Sequence, residues 1–119
     1  MSIEDNKACI RRFFEEVVSQ GNLETVDELL SASCRYFDAG ILRTTGCGEF
    51  NAYLIQARKH FDSINVKIDN IIAEGDKVAV RCSYNLMLEG EHSVVPVMAD
   101  FRIEDGKIIE TWRTVASIN

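Results

Sequence analysis

The pattern of apolar and polar residues predicts helices in the first half of the chain. Residues 4–20 repeat apolar side chains at three- and four-residue intervals, which indicates an amphipathic helix that ends at Gly21. Asn22 can cap a second, short helix at 23–30. The same helical spacing returns at 47–61. Three helices are therefore predicted.

Alternating apolar and polar positions predict strands in most of the remaining chain. A short strand is expected at 34–40, and four longer strands follow the third helix. Those four are predicted at 65–74, 77–88, 93–103 and 107–115, with turns at Gly75-Asp76, Glu89-Gly90 and Asp105-Gly106. This order predicts an α+β fold: a curved antiparallel sheet, a cone-shaped α+β barrel, with the three N-terminal helices packed on its concave face. Because long strands curl, the centre of such a cone is hard to fill, and we expect a cavity there.

Composition limits the classes of function. A chain of 119 residues suits one domain, 1–119. Its net charge of −6 and its scattered lysines and arginines argue against binding of nucleic acid or anionic membranes. Neither a signal peptide nor a membrane span is recognisable, so we expect a cytoplasmic protein with reduced cysteines. The lack of metal-ligand spacing and of nucleotide-binding motifs predicts no metal site and no cofactor.

The turn between the last two strands decides which of their side chains face inward. A two-residue loop would put Trp112 on the inner face with Ala99. A three-residue loop with Gly106 as a bulge would put Thr111 and Arg113 there instead. A slip of one residue reverses the whole strand. An inward arginine on an otherwise apolar face would indicate that this face lines a cavity.

Two segments are distinctive: GNLETVDELL at 21–30 and FRIEDGKIIETW at 101–112. Together with the order of the elements, they resemble the nuclear-transport-factor-like (cystatin-like) superfamily, and within it the SnoaL-like polyketide cyclases and ketosteroid isomerases. The resemblance spans nearly the whole chain and implies the α+β cone described above. It also implies that Asp38, at the end of the first predicted strand, is in the position of the general base of the isomerases.

The chain departs from both groups of enzymes. The two oxyanion donors of the isomerases fall on Phe14 and Ala99, which have no side-chain donor. Loss of one such donor typically costs ~100- to 1,000-fold in rate, so ketosteroid isomerase activity is not expected. The cyclases carry an acid after the last-strand tryptophan, whereas here Arg113 follows Trp112. The inward position of that acid favours the three-residue loop, with Arg113 facing the cavity.

The predicted site is a mostly apolar and aromatic lining with a few polar groups, which is the usual composition of a small-molecule site. Its candidate catalytic residues are Asp38, Arg113, Tyr84 and His60. The candidate ligand-binding residues are Phe14, Val18, Tyr36, Tyr53, Cys82, Leu86, Val97, Ala99, Phe101, Thr111 and Val115. The expected ligand is a small apolar or amphipathic molecule.

Each polar candidate also has a structural interpretation. Asp38 could be a general base in apolar surroundings or a carboxylate that stabilises a turn. Arg113 could anchor a ligand oxygen or pair with Asp38 or Glu110. Tyr84 could contact a polar ligand atom or simply pack, and His60 could move protons or interact with the end of its helix.

Two classes of function follow. The first is a small cofactor-free enzyme in which Asp38 takes a proton while Arg113 and Tyr84 stabilise an enolate oxygen, during an isomerisation, cyclisation or dehydration. The second is a non-catalytic ligand-binding or dimerisation domain in which Asp38 and Arg113 pair. In either case we expect a homodimer through the outer face of the sheet, at Val94, Met98, Ile108 and Trp112.

Overall fold

Three helices and six strands form the part of the chain that the computed structural model describes, residues 2–116. The helices are α1 (Ile3–Arg12, continued by a π-helical segment at Phe13–Ser19), α2 (Leu23–Leu29) and α3 (Cys47–Lys59). The strands are β1 (Leu30–Asp38), β2 (Ile41–Thr45), β3 (Ser63–Glu74), β4 (Lys77–Leu88), β5 (Glu91–Glu104) and β6 (Lys107–Val115). No helix within residues 2–116 is long and apolar enough to cross a membrane.

One curved, mixed sheet contains all six strands, in the order β2-β1-β6-β5-β4-β3. Neighbouring strands are antiparallel except β1 and β6, which pair in parallel. The predicted α+β fold with three helices and a curved sheet is confirmed, but the sheet is not antiparallel throughout and does not close into a barrel. Local patterns do not reveal the parallel pair, because its two strands are far apart in the sequence.

Capping residues explain where the first two helices begin and end. Ser2 and Asp5 form a reciprocal capping box, in which the Ser2 hydroxyl accepts from the Asp5 N–H at 3.0 Å. The predicted stop at Gly21 is confirmed, and its φ of +71° is a conformation that glycine adopts without strain. Asn22 caps α2 as predicted, since its side chain accepts from two backbone N–H groups of the first turn.

The second strand was not predicted. β2 is an edge strand in which only Thr44 is buried, so its sequence shows no alternation of apolar side chains. A tight turn at Ala39-Gly40, with positive φ at both residues, joins it to β1. β1 itself begins at Leu30, directly after α2, rather than at the predicted residue 34.

The last hairpin has a two-residue loop, not the three-residue loop that the family resemblance favoured. Glu104 pairs with Lys107 across the turn. The loop residues Asp105-Gly106 have φ values of 51° and 77°, the positive angles of a type I′ turn. With a regular strand after this loop, Trp112 would face inward.

A bulge in β6 reverses that outcome. The register shifts between Arg102 and Ile103, so that Ile103 lies opposite Ile108 while Phe101 lies opposite Thr111. Thr111 is 3% exposed and faces inward, as the three-residue loop had predicted. Ile108 precedes the bulge and is 0% exposed, so its predicted place on the outer face is wrong. The bulge therefore brings both residues to the inner face.

The packed core fills the end of the concave face that α1 and α2 cover. Its fully buried side chains include Ile10, Leu30, Ile108, Val17, Val26, Val78 and Cys82. Leu30 pairs with Ile108 in the sheet, which places the start of β1 beside the start of β6. Nζ of Lys107 donates to the carbonyl oxygen of Asp27 in α2 at 3.0 Å. α3 lies over the other end of the sheet.

Candidate functional site

A mostly apolar cavity of about 390 Å³ lies between α3, the π-helical segment and the concave face of the sheet. Its wall is formed by Phe13, Phe14, Val18, Tyr36, Phe50, Tyr53, Leu54, Ala57, His60, Phe61, Ile64, Tyr84, Leu86, Val95, Val97, Ala99, Phe101, Thr111, Arg113 and Val115. The volume is within the range of protein sites that hold small molecules. The sheet, α3 and the π-helical segment thus border a space large enough for a ligand.

The structure places most of the predicted site residues on this wall and leaves two of them out. Asp38 is not part of the wall, although it contacts a residue that is. Cys82 is 1% exposed and lies in the packed core instead. Burial raises the pKa of its thiol to about 11, so Cys82 behaves as a small apolar side chain. Whether the wall residues bind a ligand stays a prediction.

Several wall residues were not predicted: Phe13, Phe50, Leu54, Ala57, Phe61, Ile64 and Val95. The sequence did contain a signal for part of this group. Phe50, Leu54 and Ala57 follow helical spacing on α3, and that spacing marks the face of a helix that turns inward. A helix that covers a cavity shows the same spacing as one that covers a core, so the pattern alone does not separate wall from core.

Arg113 is the centre of the polar part of the site. Its Nη2 donates to Oδ2 of Asp38 at 2.7 Å and to the hydroxyl oxygen of Tyr53 at 3.1 Å. Its guanidinium carbon lies 5.6 Å from the ring centre of Tyr36, within the range of a cation–π contact. Asp38 and Arg113 are direct neighbours in the parallel β1–β6 pair, which is why the ion pair forms. Glu110 pairs with Arg35 instead.

The surroundings disfavour ionisation of Tyr36 and Tyr84 and keep Arg113 charged. Burial raises the pKa of Tyr84 to about 12, although the nearby Arg113 cation favours the phenolate. Burial likewise raises the pKa of Tyr36. Burial by itself lowers the pKa of Arg113, but Tyr36, Tyr84 and the Asp38 carboxylate outweigh it and raise the pKa overall. At neutral pH the site therefore offers phenol O–H groups and a guanidinium cation as hydrogen-bond donors.

Part of the donor capacity of Arg113 is unused. Both of its side-chain hydrogen bonds within residues 2–116 leave from Nη2, and its Nε is buried without a partner there. A guanidinium has five N–H donors, and a buried donor without an acceptor typically costs about 1–3 kcal/mol. A ligand acceptor would add a favourable hydrogen bond at Nε if the side chain turned this buried atom toward the cavity.

His60 is exposed at the rim of the cavity, at the residue that follows the last turn of α3. Its ring packs edge-on against Phe61, with 5.3 Å between the ring centres. The predicted roles of His60, in proton transfer or at the helix end, both stay predictions. Within the described residues, no group of three His, Cys, Asp or Glu side chains is placed to hold a metal ion.

The outer face of the sheet carries exposed apolar side chains. Val94, Met98 and Trp112 are 49%, 64% and 37% exposed. Trp112 stacks on Phe37 of the neighbouring strand, with 3.9 Å between ring centres and an angle of 6° between ring planes. The predicted homodimer through this face stays a prediction, and its surface would not include Ile108.

Comparison with solved structures identifies the same fold in other proteins. A candidate SnoaL-like polyketide cyclase from Jannaschia sp. CCS1 is 20% identical, with 97% of this chain and 88% of that chain covered and a TM-score of 0.84. IdmH, a candidate polyketide cyclase from Streptomyces antibioticus, is 19% identical over 92% of this chain and 91% of that chain, with a TM-score of 0.82. An LEH-like epoxide hydrolase from M. tuberculosis is 20% identical over 96% of this chain and 84% of that chain, with a TM-score of 0.82.

The family is shown by a match of the sequence itself. A comparison with curated protein sequences finds no significant match. The model of the SnoaL-like domain, however, matches residues 10–111, which span the chain from the first helix to the inner face of the last strand. The chain therefore belongs to the SnoaL-like domain family.

Proposed function

We propose that this protein is a small, cofactor-free enzyme that binds a mostly apolar molecule in the cavity and acts on it by acid–base chemistry. The observation that carries the proposal is the Asp38–Arg113 pair, whose guanidinium lies on the wall of an otherwise apolar cavity. Such a combination of apolar wall and converging polar groups is typical of sites that bind and orient a substrate. Candidate cyclases and an epoxide hydrolase among the proteins of the same fold support an enzymatic role.

The ligand would be held mainly by apolar contact and oriented by one oxygen atom. Aromatic and aliphatic side chains make up most of the wall, so the body of the ligand should be apolar. Arg113 and the hydroxyl of Tyr84 would donate hydrogen bonds to a carbonyl or carboxylate oxygen. These donors would be the ones that fix the orientation of the ligand.

The proposed chemistry is proton transfer next to a carbonyl group. Asp38 would take a proton from the carbon beside the carbonyl, and the electron pair of that C–H bond would move to the carbonyl oxygen as an enolate. Arg113 and Tyr84 would stabilise the new negative charge. Arg113 engages Oδ2 of Asp38, so Oδ1 would accept the proton, and the carboxylate must turn toward the cavity to do so. Return of the proton to another carbon would complete an isomerisation. In a cyclisation the enolate carbon would attack a second carbonyl carbon of the ligand, and the proton would go to the new alkoxide oxygen. In a dehydration the enolate would re-form the carbonyl and expel a β-hydroxyl group, which would leave as water with that proton.

Hydrogen–deuterium exchange tests this chemistry without knowledge of the natural substrate. Apolar methyl ketones such as 2-acetylnaphthalene would be incubated with the protein in D2O, and the loss of the methyl proton signal followed by NMR. The wild type should accelerate exchange, and Asp38→Asn should lose ~100-fold or more of that acceleration. Asp69→Asn is the matched control, because Asp69 is exposed and bonds to Ser83 away from the cavity. Exchange that Asp38→Asn leaves unchanged would remove Asp38 from the mechanism.

A second candidate function is binding of the same class of ligand without chemistry. The observation that favours it is that Asp38 lies off the cavity wall and is held by Arg113. In this arrangement the Asp38 carboxylate contacts Arg113 rather than the space that a ligand would occupy. This alternative predicts that ketones bind in the cavity but exchange no faster than in buffer.

A further inference from the structure

We infer that the cavity selects neutral carbonyl ligands over carboxylates of the same shape, and that Asp38 sets this selectivity by cancelling the charge of Arg113. This inference rests on the proposed cavity site and narrows its substrate class. Asp38 is then a specificity-determining residue, whether or not it also moves a proton.

The positive charge of Arg113 and the negative charge of Asp38 cancel each other at the polar part of the cavity. Nη2 of Arg113 is 2.7 Å from Oδ2 of Asp38, and their side chains are only 22% and 20% exposed. Partial burial limits the screening of this pair by water. Tyr36 and Tyr84 are neutral at physiological pH, because a phenol ordinarily titrates near pH 10 and burial raises the pKa of both still further. His60 is exposed at the rim, where water surrounds it.

A carboxylate would lose its hydration in this cavity and gain no net countercharge. The apolar wall offers few groups to replace water, and burial of an unpaired carboxylate is strongly unfavourable. The Asp38 carboxylate would also repel it, because both anions would approach the same guanidinium. A neutral carbonyl avoids both costs.

The guanidinium of Arg113 can still donate a hydrogen bond to a neutral acceptor. The hydrogen bonds to Asp38 and Tyr53 both use Nη2 of Arg113, and its Nε has no acceptor within residues 2–116. Arg113 thus has a spare hydrogen-bond donor but no spare charge. A ketone or aldehyde oxygen needs only a hydrogen-bond donor. A carboxylate needs both a hydrogen-bond donor and an uncompensated positive charge.

Removal of the Asp38 charge should reverse the preference. The guanidinium would then be an uncompensated cation on the wall of an apolar cavity, which favours an anionic ligand. Asp38→Asn keeps the size of the side chain and one acceptor oxygen, so it changes the charge with little change in shape. Asp38→Ser removes the charge in a smaller side chain and serves as the second variant.

The test uses two ligands that share one ring system and differ in charge, 2-acetylnaphthalene and 2-naphthoate. Their Kd values would be measured by NMR titration for the wild type, Asp38→Asn, Asp38→Ser and the control Asp69→Asn, after circular dichroism has shown that each variant is folded. The wild type and Asp69→Asn should bind the ketone ~10-fold or more tightly than naphthoate, and the Asp38 variants should shift the ratio ~10-fold or more toward naphthoate.

Each outcome decides between the possibilities. A wild type that binds naphthoate as tightly as the ketone overturns the inference, although binding of the ketone in the cavity still stands. A folded Asp38 variant with the wild-type ratio also overturns it, because the charge of Asp38 then has no influence. If the wild type binds neither ligand, the proposed cavity site fails and the selectivity fails with it. If neither variant folds, the wild-type ratio alone still confirms or overturns the preference for a neutral ligand.

Discussion

The two ends of the concave interior differ in how completely side chains fill them. Along β4, the inward residues Val78, Val80 and Cys82 are 0%, 3% and 1% exposed. Further along the same strand, Tyr84 and Leu86 face inward but are only partly buried, and both line the cavity. We call the first region, under α1 and α2, the filled end, and the second, under α3, the hollow end.

The difference follows from the side chains that each helix contributes. α1, α2 and Val17 of the π-helical segment supply aliphatic side chains such as Ile10 and Val26, which interdigitate with the strands at the density of a normal core. At the hollow end, rings meet edge-on or tilted: Tyr36 lies 5.9 Å from Phe50 and 5.2 Å from Tyr53, measured between ring centres. Large rigid rings in these arrangements leave gaps that small aliphatic side chains would close. The same sheet forms the floor of both ends, so the helices that pack on it determine where the cavity lies.

A matched pair of leucine truncations tests this comparison and should have the largest effect. Leu30 is 1% exposed at the filled end, whereas Leu86 is partly buried at the hollow end. Leu30→Ala should lower the free energy of unfolding by about 2–5 kcal/mol, because it leaves a cavity in a packed core. Leu86→Ala should cost about 1 kcal/mol, since only part of its surface leaves water on folding. Urea denaturation of both variants measures the difference, and equal losses would mean that the two ends are packed alike.

Removal of one hydroxyl at the hollow end should affect the ligand more than the fold. Tyr84→Phe deletes a proposed donor to the ligand oxygen but keeps the ring that packs on Phe14, 6.5 Å between ring centres. The affinity for 2-acetylnaphthalene should fall by about 1 kcal/mol, or roughly fivefold in Kd, while the urea midpoint stays near that of the wild type. A midpoint that falls while the Kd stays constant would make Tyr84 a structural residue only.

The tyrosines of the hollow end should resist ionisation at alkaline pH. The pKa of Tyr84 is raised to about 12, and the pKa of Tyr36 is raised as well. Both should stay protonated at pH 10.5 in the folded protein and ionise when urea unfolds it at the same pH, seen as a rise in absorbance at 295 nm. The unfolded chain then binds fewer protons than the native one, so stability should decrease as the pH rises above about 10. Full phenolate absorbance in the folded protein would show that these hydroxyls are solvated.

The outer face of the sheet should show a modest effect on folding and a separate effect on assembly. Trp112→Glu removes the ring that stacks on Phe37, so the free energy of unfolding of the monomer should fall by about 1 kcal/mol. If this face joins two copies, sedimentation velocity should show a dimer for the wild type and a monomer for the variant. The matched control is Ile72→Glu, which introduces the same charge at an exposed position of β3. A wild type that sediments as a monomer would contradict the predicted dimer.

The sequence predicted the regular strand β4 better than the bulged strand β6. The alternation along β4 predicted both its boundaries and its inward face, because a buried strand needs apolar residues at every second position. The predicted three-residue loop at Asp105-Gly106 was wrong, because the bulge that follows the actual two-residue loop has no recognisable sequence pattern. Ile108 was assigned to the wrong face for the same reason.

The contact between Asp38 and Arg113 illustrates what local patterns cannot provide. The two residues are 75 positions apart, and they meet only because β1 and β6 pair in parallel with a register that no turn between them fixes. Sequence reasoning could name both residues and weigh their pairing, but the geometry decided that the pair forms and that only Arg113 reaches the wall. The polar part of the site thus depends on a long-range register.

Methyl NMR on a protein labelled at leucine and valine tests the central claim most directly. On addition of 2-acetylnaphthalene, methyl signals of the hollow end, those of Leu86, Val95 and Val97, should shift, and those of Val26 and Val78 at the filled end should stay in place. That result would show that an apolar carbonyl compound enters the space under α3. Shifts at both ends alike, or none at saturating ketone, would contradict the claim that this end of the interior is a ligand site.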